Sequence, residues 1–274
     1  MFFFLLPEES IKLTPAQLRA CDKDYTLEAV ECILAILRKY GKRLTFFLVF
    51  RLEEVYPGLI EKLLDAGHEV GWHTHNHVLL HDHKTLLSEL EQSAELIKRY
   101  DVKSFRASSV YFFREGYSLL SRYGLKYSSS IYGDSSQVHE LDGILEVPVS
   151  TNMVESARSA DTLDFPLHMT MKNIFRHGLP CGSGFFWSLL SKHYYDRLIR
   201  RFNSQDAAFN TFVHDWQIVT PDLDCYRRTM SVFRNPSYYP YSFNVRKTLE
   251  YLLDRHQFQR FDEYGAALTG HLSS

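Results

Sequence analysis

Short apolar or β-branched runs that end in polar residues recur along this chain, and the early ones are separated by segments with helical periodicity. The runs QLRACD, RLTFFLVF, HEVGWH, KSFRAS, KYSSSI, GILEVPVS and NTFVHDW read as strands. Between the first two, TLEAVECILAILRKYG puts Val30, Ile33, Leu34 and Leu37 on one face and reaches Gly41, a residue type that accepts the left-handed turn closing a helix. YPGLIEKLLDAG and KTLLSELEQSAELIKRY read the same way. Strand alternating with amphipathic helix predicts βαβ units, a parallel sheet and right-handed crossovers. The number of runs favours a barrel over an open sheet, so the expected class is α/β, a distorted (β/α)7 barrel.

Apolar residues make up 45% of the 274 positions, enough to build one large core, and one domain over residues 1–274 is expected. The segment from about Asp134 to Pro180 is less regular and is expected to decorate the rim. FNVRKTLEYLLDRHQFQRF reads as a closing helix striped by Leu249, Leu252 and Leu253. Thirty-one basic against thirty-three acidic residues leave a net charge of -2, which excludes the broad basic field that nucleic acid or an anionic membrane requires. The opening MFFFLLPEES has no basic start and its apolar run stops at Pro7, so it does not read as an export signal. No run approaches the roughly twenty apolar residues of a membrane span. Cys21, Cys32, Cys181 and Cys225 form no C-x-x-C pair and no disulfide framework, which points to a reducing, cytoplasmic compartment. A cell-envelope location would require a leader lost from the start.

GHEVGWHTHNHVLLHDH, Gly67 to His83, carries six of the thirteen histidines. In parallel α/β barrels the chemistry gathers where strands run into their following loops, and that rule selects Asp22, Asp24, His73, His77, Arg106 and His214. Imidazoles and carboxylates suit zinc and its neighbours, with an open position for water. The H-x-x-x-H spacing of His73 and His77 would put both rings on one face of a helical turn capped by Thr74. The plainer reading is a loop of solvated histidines. Asp22 and Asp24, two apart at a strand end, would point the same way. His75, His81 and His83 are expected to be solvated or to stand behind the ligands. LPCGSGFFWSLL lacks dinucleotide or P-loop spacing and reads as a rim loop before a helix. Its Phe185, Phe186 and Trp187, like the tyrosines of NPSYYPYSFN, would either face a sugar ring or fill the core.

RLTFFLVF, YPGLIEKLLDAGHEVGWHTHNH and SFRAS, in that order, resemble the NodB-homology polysaccharide deacetylases, carbohydrate esterase family 4. The resemblance runs from about Leu18 to Ile131 and extends through LEVPVS and TFVHDW to Trp216. It implies the (β/α)7 barrel and removal of an acyl group, usually N-acetyl, from an amide nitrogen of an amino sugar. It also implies one divalent metal, zinc or alternatively cobalt or nickel, on His73 and His77. ACDKDYT resembles the family's TFDDGYT, which puts Asp22 on the catalytic base and Lys23 where a metal-binding aspartate usually stands. Asp24 would then be the third ligand, or Glu8 or Glu9 if LLPEES is the first strand end. Arg106 matches the arginine that orients the base, with Ser108 in place of a proline, and His214 matches the general acid. Two other readings are a cytoplasmic amidohydrolase or deformylase acting on a small molecule or nucleotide-linked sugar, and a glycan-binding relic in which Lys23 replaces the metal's charge.

Overall fold

The computed structural model describes residues 11–153, 174–175 and 178–272. Its first element is a helix, α1 (Pro15–Asp22), where a strand was expected. The reason is local. Thr14 and Gln17 form a reciprocal capping box, with Pro15 in the first turn, and these fix a helical start before tertiary contacts act. Lys23 and Asp24 then take left-handed dihedrals, φ 51° and 58°, which turn the chain sharply into α2 (Tyr25–Lys39).

Helix α2 buries Tyr25, Ala29, Val30, Ile33, Leu34, Ile36 and Leu37. It ends as expected at Gly41, φ 61°, where the Lys42 amide donates to the Leu37 carbonyl at 3.0 Å. The same closure ends α4 (Leu59–Asp65), with Gly67 left-handed and the His68 amide on the Leu63 carbonyl. Each fully buried leucine or isoleucine of α2 contributes about 2 kcal/mol. The helix lies between two apolar clusters, Leu34 joining the sheet-side core and Ile33 and Leu37 meeting Trp187, Tyr195 and Leu252.

Strands β1 (Thr45–Leu48), β2 (Glu69–Trp72), β3 (Ser104–Phe105), β4 (Tyr127–Ser128) and β7 (Ile144–Glu146) pair in parallel in that order. Helices α3 (Arg51–Val55) and α4, then α5 (His83–Arg99), then α6 (Tyr117–Arg122) make the crossovers, as the alternation predicts. An edge strand β6 (His139–Leu141) joins β7 antiparallel, and β5 (Tyr132–Gly133) pairs with β8 (Val149–Ser150) in a second short parallel sheet. NTFVHDW forms no strand. Its residues 210–214 run extended, held by single bonds from the Ser150 amide to the Asn210 carbonyl (2.9 Å) and from the Phe212 amide to the Gly182 carbonyl (3.0 Å).

After the short helix α7 (Gly184–Trp187), helices α8 (Lys192–Asn203), α9 (Asp215–Ile218), α10 (Asp224–Thr229) and α11 (Arg246–Arg255) follow. Helix α11 buries the expected Leu249, Leu252 and Leu253. A last helix, α12 (Phe261–Leu272), was not expected. It docks below the sheet, with the Phe261 amide on Thr45 Oγ1 (2.7 Å) and the Asp262 amide on Glu69 Oε2 (3.0 Å). The opposite, C-terminal ends of β2, β3 and β4 are therefore left to carry His73, Arg106 and Ser129. Much of the irregular segment expected at the rim lies outside the described residues. No described helix is long and apolar enough to cross a membrane.

Candidate active site

His73 follows β2 directly, and its amide still donates to the Leu48 carbonyl of β1 at 2.8 Å. The chain then leaves the sheet through Thr74 and His77, both left-handed at φ 62° and 59°, so the H-x-x-x-H segment is an irregular loop and not a helical turn. Thr74 caps it as expected, its Oγ1 accepting from the His77 amide at 2.8 Å. The loop is anchored by buried Glu89 of α5, whose carboxylate accepts from the amides of His75 and Asn76 (both 2.7 Å) and from Asn76 Nδ2 (2.9 Å). That anchorage brings the His73 and His77 rings to 4.9 Å, edge to face. His75 is buried and directed at Glu54, with Nε2 3.1 Å from Oε1, so it is not solvated. His81 and His83 are exposed, against Tyr111 and Phe113.

The His73 tautomer is fixed. Its Nδ1 lies 2.7 Å from the Arg106 carbonyl, which can only accept, so Nδ1 carries the proton and Nε2 keeps its lone pair. Burial, with the Arg106 charge nearby, pulls its pKa down to about 4, and burial beside His73 and His214 holds His77 well below the ordinary range. Both imidazoles are neutral at neutral pH.

Arg106 begins where β3 stops and is buried. Its Nε donates to the Ser129 carbonyl (3.0 Å), and Nη2 donates to Ser129 Oγ (2.7 Å) and Asn210 Oδ1 (3.3 Å). The guanidinium sits 4.4 Å from the Phe47 ring centre and 5.1 Å from that of Phe212. Burial lowers its pKa to about 10, so it stays charged. Asn210 also donates to Ser129 Oγ and to the carbonyls of Val147 and Pro148, which ties the extended 210–214 segment to the ends of β4 and β7.

That segment delivers His214. Its ring stacks on Trp216 at 4.1 Å and 15°, with Tyr241 and Phe212 edge-on at 5.2 and 5.5 Å. Burial, together with His73 and Arg106, takes its pKa down to about 3. His73 and His77 thus come from the end of β2 and His214 from the extended 210–214 segment, near enough that a proton on one would oppose a proton on another.

Neither aspartate bonds to these histidines, although burial and the Asp22 charge together raise the pKa of Asp215, next to His214. Asp22, at the end of α1, is buried and its Oδ2 accepts from the Thr26 amide (2.9 Å) and the Tyr56 hydroxyl (2.5 Å). It fastens α2, and Arg106 makes no bond to it. Asp24 is exposed and pairs with Arg19 at 2.7 Å, and Lys23 is exposed beside it. The D-x-D reading fails because the segment is helix followed by two left-handed residues, which send the two carboxylates to different places. Glu8 and Glu9 lie outside the described residues. Among the described residues no group of three or more His, Cys, Asp or Glu is arranged to hold a metal. A divalent metal would therefore find one imidazole of fixed tautomer, His73, beside the neutral His77, and no partner in the exposed, Arg19-paired Asp24.

Asn210, Ser129, Glu89 and Gln217 went unmarked in the sequence because their roles come from bonds across the fold, with no spacing to betray them. Phe186 and Trp187 are core, whereas Tyr238 and Tyr239 are largely exposed.

Comparison with known proteins bears on the family and the fold. Residues 21–130 match the family described as polysaccharide deacetylase, and residues 129–266 match a domain of unknown function, DUF3473. Residues 21–130 thus belong to the polysaccharide deacetylase family, and the DUF3473 domain takes up the remainder of the matched chain. A Mycobacterium smegmatis protein assigned as a polysaccharide deacetylase is 18% identical, with a TM-score of 0.56 over 89% of this chain and 78% of its own. PuuE allantoinase is 15% identical, with a TM-score of 0.56 over 93% and 76%. A family 4 carbohydrate esterase from Streptomyces lividans, in complex with acetate, is 24% identical over 39% of this chain and 58% of its own, with a TM-score of 0.34. The first two likenesses establish the expected fold class, an α/β TIM-like barrel. No curated protein matches the chain.

Proposed function

We propose that this chain hydrolyses the amide bond between an acyl group, acetyl in the first instance, and the nitrogen of an amino sugar in a polysaccharide or glycoconjugate. The observation that carries the reading is the His73 side chain, locked by the Arg106 carbonyl with Nε2 free and set 4.9 Å ring to ring from His77 at the strand ends. Family membership supports a carbohydrate substrate.

His73 and His77 would hold a divalent ion, zinc or alternatively cobalt or nickel. When bound, such an ion supplies a Lewis acid and lowers the pKa of water. The chain's own part is to keep both imidazoles neutral by burial and to fix their direction through the Arg106 carbonyl and the Glu89-anchored loop. The Asp22 Oδ2 is engaged by Thr26 and Tyr56, and this reading gives the proton of the attacking water to a histidine instead. His214 takes that part. Being neutral, it accepts the proton of the attacking water and passes it to the leaving nitrogen, which cannot depart as an unprotonated amide anion. Arg106 is a positioning residue that holds Ser129 and Asn210, and its charge adds to the burial that keeps His73 and His214 unprotonated.

The test is a substrate panel with zinc-loaded protein. Release of acetate from N-acetylated amino-sugar oligomers, lost in His73→Ala and His77→Ala, is expected. Turnover confined to formyl sugars or cyclic ureides would move the chain to the small-molecule amidohydrolases, and no turnover of any of the three would leave a glycan-binding relic.

A further inference from the structure

We infer that Gln217 is the positioning residue that sets the tautomer of His214, so that Nε2 is a proton acceptor in the resting protein; the role rests on the proton transfer assigned to His214 above. Gln217, in α9 three residues on, is completely buried. Its Oε1 lies 3.1 Å from the His214 amide nitrogen and 3.0 Å from His214 Nδ1. Its Nε2 lies 2.8 Å from the Gly184 carbonyl and 3.0 Å from Ser188 Oγ.

A carboxamide can be turned end for end without changing shape. Two backbone groups forbid that here. The His214 amide only donates, so the atom facing it is the oxygen, and the Gly184 carbonyl only accepts, so the atom facing it is the nitrogen. The Gln217 backbone N–H also approaches the His214 side chain but donates to the His214 carbonyl at 3.1 Å, so with the Gln217 oxygen opposite Nδ1 at 3.0 Å the ring bonds as Nδ1–H. A neutral imidazole has one such proton, so Nε2 is left with its lone pair. The stack on Trp216 and the edges of Tyr241 and Phe212 oppose rotation of the ring.

Gly184 is required for the clamp to close. A Cβ there would stand 2.6 Å from Gln217 Oε1 and 3.2 Å from His214 Nδ1. This gives the GSG of LPCGSGFFW a purpose unrelated to phosphate: it admits the Gln217 amide between loop and helix.

The order of proton transfers follows. As water attacks the acyl carbon, its O–H bond breaks and an Nε2–H bond forms, giving an imidazolium whose Nδ1–H still donates to Gln217 Oε1. As the C–N bond breaks, that Nε2 proton moves to the leaving nitrogen and the ring returns to its starting tautomer. His214 is therefore an acceptor first and an acid only afterwards.

Nitrogen-15 spectra of the full chain labelled at histidine read this directly, with His214 assigned from the peaks missing in His214→Asn. Near neutral pH the wild type is expected to show a protonated Nδ1 and an unprotonated Nε2. Gln217→Met fills the same volume without an acceptor. It should move both nitrogens toward tautomer-averaged shifts and lower kcat for acetate release from an N-acetylated chitin tetramer about 10- to 100-fold, with KM within about twofold. Gln217→Glu keeps an acceptor and should restore the Nδ1–H pattern, with kcat above that of Gln217→Met but below wild type, because an oxygen then opposes the Gly184 carbonyl. Should Gln217→Met fail to fold, Gly184→Ala crowds the same bond and should give the same averaged shifts. A wild type protonated at Nε2, a Gln217→Met protein with the wild-type pattern, or averaged shifts with unchanged kcat would each overturn the assignment. If the wild type releases no acetate, the proposed reaction fails, while the spectra still decide whether Gln217 sets the tautomer.

Discussion

Gly71 shows how a missing side chain reaches the site. A Cβ at this position of β2 would stand 2.6 Å from the Phe47 ring, and that ring supports the Arg106 guanidinium at 4.4 Å. Gly71→Ala is expected to displace Phe47, tilt Arg106 off Ser129, and lower kcat/KM about tenfold while the protein still folds, because small misplacements of a positioning group are costly. Unchanged kcat/KM in steady-state assays would remove Arg106 from the site. At this scale the places of His73 and Arg106 at strand ends were legible, since each follows an apolar run, and His77 and His214 were marked by motif spacing alone. Asp22 and Asp24 were misread: their spacing fits a strand end, but side-chain direction depends on an element the spacing does not determine.

Among the elements, the ones with strong punctuation were legible. Gly41 and Gly67 closed helices α2 and α4 where their sequences indicated, and Leu249, Leu252 and Leu253 faced the core of α11. Helix α1 carried its own signal too, a T-P-A-Q start that outweighs a short apolar run. The two segments that hold the histidines, the loop after β2 and the extended 210–214 run, had no such signal because single side-chain bonds hold them. They also make stability depend on pH. His73 and His214, lowered to about 4 and about 3, stay neutral in the fold, whereas the same side chains in the unfolded chain take up protons below about pH 6.5. The unfolded state then binds more protons, so stability is present above 6.5 and falls as pH drops toward 4. The slope is at most about 1.4 kcal/mol per unit for each group, less where solvent screens it. Urea midpoints should fall between neutral pH and pH 5, and fall less in His73→Asn; the same slope in both would show that these histidines are not held neutral.

The whole molecule sorts its chemistry by sheet end. Glu69, Thr45 and Phe261 fasten α12 at one end, and His73, Arg106, Ser129 and the 210–217 segment meet at the other. The barrel class was legible from the alternation of runs, while the closing α12 and the second short sheet were not, because both depend on docking and not on periodicity. The central claim is that the histidines at this end, without Asp24, form the working centre. Metal content after incubation with zinc and dialysis, in wild type, His73→Ala and Asp24→Ala, tests it most directly. The account predicts one tightly held zinc per chain in wild type and in Asp24→Ala, and its loss in His73→Ala. Zinc lost from Asp24→Ala, or retained in His73→Ala, would contradict it.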